Sequence, residues 1–283
     1  NMQHPAELAV HQYLDDATNN KTEMSEDTIE AVCTQIGDAL RRQFGKDSSN
    51  RKDFKLRMSN VGRPYCQLWY SKNKPEVARP KATTFVMNMM IGDIVEAVFK
   101  AVLTEAGVKY EDSEQVTLKL TDGTTISGTT DLSIDGAVDD IKSASNWSYR
   151  NKFSSYADLE KSDSFGYVGQ LAGYAKASNK KAGGWWVINK ATGEFKYVPA
   201  SGLNTEEEFA KIETVKTKLD DNKFSRSFDK KPEFFRGRST GRYVLGITCG
   251  FCDYKTDCWP TLEELPSIPS KAKDPKVVNY ITE

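Results

Sequence analysis

Four aspartates and one lysine crowd the stretch DLSIDGAVDDIKSAS, Asp131 to Ser145, among small and aliphatic residues. Asp135-Gly136 is a favoured two-residue hairpin turn, because both residues tolerate the positive φ of a type I′ turn. The flanks TTISGTTDLSI and AVDDIKS then read as paired strands. In that register Ile134 faces Ala137, Leu132 faces Asp139 and Asp131 faces Asp140. Strand periodicity puts Lys142 on the same face as Asp140. Like charges placed opposite each other destabilise a hairpin unless a cation lies between them. A divalent ion with oxygen ligands, Mg2+ or Mn2+, supplies that charge. The lysine beside it can orient a water, help to deprotonate it, or stabilise charge developing on a phosphate. This chemistry suits hydrolysis of phosphodiesters, although an isolated D-x-K is more often an ordinary surface ion pair. Asp139 falls among Leu132, Ile134 and Ile141, where a charge is costly. A bulge near the turn would make Asp139 the ligand instead of Asp140.

Two helices are expected to flank this hairpin. MIGDIVEAVFKAVLTEAG, Met90 to Gly107, carries Ile91, Ile94, Val95, Val98 and Val102 at helical spacing and reads as a buried stripe. Glu96 lies at its margin, where a carboxylate can edge into a site. Taken alone it reads as an i,i+4 partner of Lys100. FGYVGQLAGYAKAS, Phe165 to Ser178, buries Val168, Leu171, Ala172 and Ala175 and leaves Gln170 and Tyr174 together off that stripe, with Tyr167 one turn earlier.

A second group of chemically active residues lies outside this region. Cys249, Cys252 and Cys258 form a C-x2-C-x5-C run, and Cys66 sits far upstream in NVGRPYCQLWY. Three close soft ligands and one distant partner can complete a four-thiolate site, for an iron-sulfur cluster or for zinc; a C-x-x-C redox pair is a third reading. Cys33 lies on the stripe Ile29, Val32, Cys33, Ile36, Leu40 of an amphipathic helix and reads as core.

Taken in order, GDIVE (Gly92 to Glu96), GTTD (Gly128 to Asp131), DIK (Asp140 to Lys142) and QLAGY (Gln170 to Tyr174) resemble the motifs of the RecB-like branch of the PD-(D/E)XK nucleases. Each motif is weak alone; four in this order are specific, over a core from about Met90 to Tyr174. The resemblance implies an α/β fold: a restriction-endonuclease-like core with a central mixed sheet flanked by helices. It implies that Glu96, Asp131 and Asp140 bind Mg2+ or Mn2+, that Lys142 assists the attacking water, and that Gln170 and Tyr174 support the site. Glu96 stands where many RecB-like members have histidine. The one-plus-three cysteines around the core are similar to the iron-sulfur subgroup, which includes the CRISPR-adaptation nucleases and AddB-type domains. In that subgroup a 4Fe-4S cluster, here on Cys66, Cys249, Cys252 and Cys258, is a structural clasp joining N-terminal and C-terminal segments. The activity implied is metal-dependent hydrolysis of DNA to 5′-phosphate products, with exonuclease action on single-stranded ends as the expected mode. The alternative is a catalytically inactive nuclease-fold protein that binds DNA.

The remainder of the 283 residues is compatible with these expectations. Residues 1–89 read as an N-terminal helical segment bearing the first cluster cysteine, with Asp27 and Glu30 as a helix-capping pair. Residues 90–221 form the nuclease core. GGWWVINKATGEFKYVPA is expected to form two strands about a Thr192-Gly193 turn, and Asn204 to Asp221 a charged helix. Residues 222–283 hold a basic, aromatic stretch without clear period and then the three cysteines. Lys223, Arg226, Lys230, Lys231, Arg236, Arg238 and Arg242 with interleaved phenylalanines suit single-stranded DNA, through phosphate contacts and base stacking. The same stretch also reads as a solvated loop anchored by its aromatics. A net charge of -1 excludes a global basic field. No apolar run approaches the ~20 residues of a membrane span, and no secretory signal is evident. The expected setting is the cytoplasm, that of the host if the chain is phage-encoded.

Overall fold

In a computed structural model, residues 3–45, 53–267 and 271–282 are described. In chain order they form α1 (Pro5–Thr18), α2 (Glu26–Phe44), α3 (Tyr65–Asn73) and α4 (Phe85–Glu105), then β1 (Gln115–Lys119), β2 (Thr125–Thr129), β3 (Leu132–Ile134) and β4 (Ala137–Ala144). After these come α5 (Tyr156–Lys161), α6 (Tyr167–Ser178), β5 (Lys181–Asn189), β6 (Phe195–Pro199) and α7 (Thr205–Asp221). The chain ends with β7 (Lys231–Phe235), β8 (Arg238–Val244), α8 (Ile247–Gly250), α9 (Lys255–Cys258), β9 (Leu262–Pro266) and β10 (Val277–Ile281). Contacts divide the chain into two units, Asn1–Gly62 with Ala82–Glu213, and Arg63–Lys81 with Thr214–Glu283. The sequence reading cut it instead at 89/90 and 221/222.

The first unit is α/β, with a mixed sheet in the order β3-β4-β5-β6. β3 and β4 are antiparallel, β4 and β5 parallel, and β5 and β6 antiparallel. The parallel pair requires a crossover, and α5 and α6 supply it. β4 and β5 are central, so Trp185, Trp186, Val187 and Val138 are fully buried, and so are the polar Asp139 and Asp140 of β4. α4 and α1 cover one part of the sheet through Phe99, Val102, Leu103, Ala6 and Val10, which pack with Leu132, Ile141 and Trp186.

The turn chemistry is as expected: Asp135 and Gly136 both take positive φ, 51° and 75°. The register of Leu132 with Asp139 and Ile134 with Ala137 also holds. The long strand expected before the turn does not. It breaks at Thr130-Asp131, and β2 pairs with β1 in a separate two-stranded sheet. Gly128 explains part of this arrangement, because a Cβ there would overlap Met58 and crowd the Tyr174 ring at 3.0 Å.

Two helix readings need correction. α2 is capped by Ser25, whose side chain accepts from the Thr28 amide, and not by an Asp27-Glu30 pair. Its cysteine, Cys33, is exposed and so is not core. α4 buries Met90, Ala97, Phe99, Lys100, Ala101, Val102 and Leu103, while Ile91, Ile94 and Val98 are exposed. The helix is apolar on more than one face, and the sheet takes the face containing Phe99 and Leu103.

The second unit contains an antiparallel sheet in the order β7-β8-β10-β9. The stretch read as lacking a period is largely a β-hairpin, β7 and β8, turning at Arg236-Gly237 with φ 48° and 78°. An arginine in the left-handed region is an uncommon turn signal, which hid the hairpin. α3 is tied to the C-terminal residues by hydrogen bonds: Tyr65 Oη donates to the carbonyls of Lys218 and Lys223, Trp69 Nε1 to that of Asn222, and Tyr70 Oη to Asp257. Among the described residues, no helix is long and apolar enough to cross a membrane.

Candidate active site

The first site lies where the N-terminal edge of β3, the middle of β4 and the flanks of α4 and α6 meet. Asp131 precedes β3, and its Oδ2 accepts the Ile141 amide of β4 at 2.7 Å. This bond holds the Asp131 carboxylate beside that of Asp140. Burial pushes the Asp131 pKa well above the usual carboxylate range, and the neighbouring carboxyls of Asp140 and Glu96 raise it further. Part of the residue still reaches the surface, so the carboxyl is enclosed at the mouth of the site and not in the deep core.

Asp140 is buried, and Lys142 Nζ stands 2.7 Å from its Oδ2. At that distance the ammonium is a close, charge-assisted partner of that oxygen. Burial would pull the Lys142 pKa down, but the carboxylates of Asp140 and Asp131 outweigh it and hold the group above its ordinary value. Lys142 also donates to Gln170 Oε1 at 3.4 Å, and Gln170 Nε2 donates to Tyr174 Oη at 3.4 Å. The Lys142 ammonium lies 4.6 Å from the centre of the Tyr167 ring. Burial first, then the charges of Asp140 and Asp131, keep the Tyr174 phenol protonated.

Asp140, Lys142, Gln170 and Tyr174 are thus linked in a chain beside Asp131, while Glu96 acts on Asp131 through its charge. Glu96 has a second allegiance: its carboxylate is 3.3 Å from Lys100 Nζ, the i,i+4 pair that its sequence context suggested. Lys100 is buried and also binds Asp112 at 3.0 Å. Sequence reasoning missed Lys152, which is buried between the rings of Phe165 and Tyr167 at 4.7 and 4.8 Å. Burial lowers its pKa, Asp163 opposes this, and the charge of Lys142 lowers it further. The only signal for it was a basic run, YRNK, ahead of the QLAGY helix.

Asp139 points away from this cluster. Its carboxyl accepts from Tyr197 Oη at 2.8 Å and from Trp186 Nε1 at 3.1 Å. A register shift does occur at Val138/Asp139, but in the pairing of β4 with β5, so Asp140 keeps its place opposite Asp131. Burial raises the Asp139 pKa to about 7, against the pull of those two hydrogen bonds. A folded-state pKa raised above the unfolded value contributes stability at low pH that is lost as pH rises through about 7. We therefore expect Asp139→Asn to leave any chemistry at Asp140 intact and to flatten the loss of melting temperature between about pH 4 and 7. A variant inactive through Asp139 while Asp140→Asn remains active would reverse this assignment.

In the second unit, Cys66, Cys249, Cys252 and Cys258 line one pocket with Tyr70 and Trp259. None is in a disulfide. Burial pushes the Cys249 thiol up to about 12 and Cys252 to about 11, with the other thiols adding to both. Burial also raises Cys258, but Arg226 opposes it, stacking on Trp259 at 3.7 Å and donating to the Cys258 carbonyl at 2.6 Å. Among the described residues, no group of three or more His, Cys, Asp or Glu side chains is arranged ready to hold a metal ion.

The basic residues of this unit are dispersed. Arg226 is committed to the cysteine pocket. Arg242 lies over Tyr280 at 5.3 Å, Lys230 over Tyr243 at 4.7 Å and Arg236 over Phe235 at 5.2 Å. Lys223, Lys231 and Arg238 are exposed. The hairpin carries Phe234 63% and Phe235 42% exposed at its end.

No protein-family model matches the chain, and no curated protein matches it significantly. A solved structure titled "Crystal structure of SSO0001" is similar at a TM-score of 0.45 with 13% sequence identity, covering 78% of this chain and 95% of that one.

Proposed function

We propose that the chain is a metal-dependent deoxyribonuclease of the RecB-like kind, acting as an exonuclease on single-stranded DNA ends. One observation carries the reading: the Asp131 and Asp140 carboxyls are buried together, the charge of Glu96 also acts on Asp131, and one ammonium, Lys142, offsets them. Two buried carboxylates cannot both ionise comfortably without added cationic charge. The donor set, three carboxylates and no soft ligand, fits Mg2+ or Mn2+. Bound there, a divalent ion would lower the pKa of water and offset charge developing on the phosphate.

The chain's own groups have distinct tasks. Asp131, fixed by the Ile141 amide, and Asp140 supply the negative field, with Glu96 as the third ligand. Lys142 remains an ammonium while both carboxylates face it, so it serves as a donor to water or phosphate. Neutralising those carboxylates removes what raises its pKa and moves the group toward acting as a proton acceptor. Gln170 and Tyr174 hold the Lys142 side chain in place. The four thiols of the second unit line one pocket and would supply the soft ligands of a 4Fe-4S cluster; burial keeps Cys249, Cys252 and Cys258 neutral until a cation takes their charge. Zinc fits the same four ligands and is the second candidate.

The competing reading is an inactive nuclease-fold DNA-binding protein, favoured by the pairing of Glu96 with Lys100 and of Asp140 with Lys142. The deciding experiment is a degradation time course on end-labelled linear and on circular single-stranded DNA with Mg2+, Mn2+ or EDTA. Metal-dependent shortening of linear strands supports the exonuclease reading; cutting of circles defeats its exonuclease part, and no cleavage with any ion favours the inactive reading. For strand binding, we expect Phe234→Ala with Phe235→Ala to weaken single-stranded DNA affinity by roughly 10-fold or more, as loss of base stacking would. Fluorescence anisotropy checks this; unchanged affinity would remove the hairpin from the DNA surface.

A further inference from the structure

Two helices of the first unit share an apolar face that no described residue covers. α2 and α4 run antiparallel: Ser25 at the start of α2 binds Glu105 at the end of α4 at 2.8 Å, and Arg42 at the end of α2 binds Asp93 at 3.2 Å. The seam between them takes Thr28 and Ala39 of α2 and the small Ala97 and Ala101 of α4, all buried. Beside that seam, Ile29, Cys33, Leu40 and Phe44 follow one another along α2 at spacings of three, four or their sum, so they share one stripe. Met87, Ile91, Ile94 and Val98 do the same along α4. Each stripe lies about 90° around its helix from the seam, in the same rotational sense. In an antiparallel pair this places both stripes on the same side.

The side chains on these stripes are well exposed, from 36% for Ile91 to 60% for Phe44. Their combined exposed surface is on the order of the ~800 Å2 that each partner brings to a stable protein interface. Contiguous apolar patches of this size on soluble domains mark contact sites.

We propose that this face is the interface of a two-fold homodimer, in which the α2-α4 pair of one copy packs on that of a second copy. A two-fold interface must be a patch that complements itself. An antiparallel helix pair meeting its own copy gives a four-helix arrangement, a common way to bury such stripes. The charges favour the same occupant. From Ile29 to Phe44 and from Met87 to Val98 no charged residue lies on either stripe; Glu26 and Glu105 fall on them only at their outer ends, and the outer margin of α2 carries both signs, Glu30 near one end and Arg41 near the other. A strongly acidic or basic partner would find no matching field there, whereas a chain of net charge -1 does not repel its copy.

The proposal is independent of the nuclease reading, and its test needs no substrate. The mass of the full chain in solution is measured by sedimentation from roughly 1 to 100 µM, the range in which a modest interface saturates. The wild type is expected to become dimeric over this range. Ile94→Glu and Cys33→Arg, both at exposed positions of the single copy, should keep circular dichroism and melting behaviour while raising the dimer dissociation constant at least ~100-fold. A wild type that stays monomeric at the highest concentration overturns the proposal. So does a dimer that survives both substitutions.

Discussion

Lys142→Ala is expected to lower the cleavage rate by about 1,000-fold or more while changing DNA affinity by less than roughly threefold. The ammonium faces the reacting centre through Asp140 and Gln170, and contributes little area to strand binding. A second effect separates this variant from a merely unfolded one. Without Lys142, the carboxyls of Asp131 and Asp140 remain buried together with no cation between them, a loss of partner that typically costs about 3–5 kcal/mol. The Asp131 pKa is already raised by burial and by Asp140. A raised folded-state pKa means that stability is fully present below the unfolded value of about 4 and is lost as pH rises through the folded one. Metal-free Lys142→Ala should therefore melt lowest at neutral and alkaline pH, and Mn2+ should restore most of the difference. Asp131→Asn and Asp140→Asn should fail for another reason. They weaken ion binding, so excess Mn2+ should recover part of their rate, yet without metal they should melt no lower than wild type, because each removes a buried like charge. Undiminished cleavage by Lys142→Ala would sink the mechanism.

Cys66→Ser is expected to abolish the colour of anaerobically purified protein, remove its iron and sulfide, and lower the melting temperature by roughly 10 °C or more, since a structural metal site contributes many kcal/mol. Cys66 comes from α3 and the other three thiols from the C-terminal residues, so one substitution empties a site fed from two distant parts of the sequence. Cys33→Ser should do none of this, because Cys33 is exposed on α2 and is not among the residues that line the pocket. Metal analysis and visible absorbance check the result. Colourless wild type carrying one zinc would replace the iron-sulfur assignment and leave the carboxylate site untouched, because the two rest on different residues.

The turn and register of the hairpin were legible in the sequence because Asp135-Gly136 admits one tight turn and period two then fixes every neighbour. The grouping of Asp131, Asp140 and Lys142 followed from that register and that of Gln170 with Tyr174 from one helical period; that the two groups meet was implied only by the resemblance of the four motifs to RecB-like nucleases. Less was legible where several faces were apolar. On α4 the stripe of Ile91, Ile94 and Val98 looked more hydrophobic than the face holding Phe99, Lys100 and Leu103, but the sheet selected the latter. Lys100 and Lys152 are buried by contacts with Asp112 and with aromatic rings that lie beyond any local pattern. The break at Thr130-Asp131 escaped notice although its cause is local: β1 and β2 form a hairpin of their own around Asp122-Gly123, where the glycine takes positive φ, and that second turn signal competes with Asp135-Gly136 for the strand between them.

The excursion of residues 63–81 into the second unit has a consequence during synthesis. α3 leaves the ribosome well before Thr214 and the strands that follow it, and at roughly 5–20 residues per second it waits on the order of ten seconds or more for them. Through that interval Tyr65, Leu68 and Tyr70, buried in the finished protein, have no partners from the C-terminal residues. The first unit can meanwhile assemble around the gap, since Gly62 and Ala82 both belong to it. The nascent chain thus carries a nineteen-residue segment whose packing is deferred until the residues from Thr214 onward are translated.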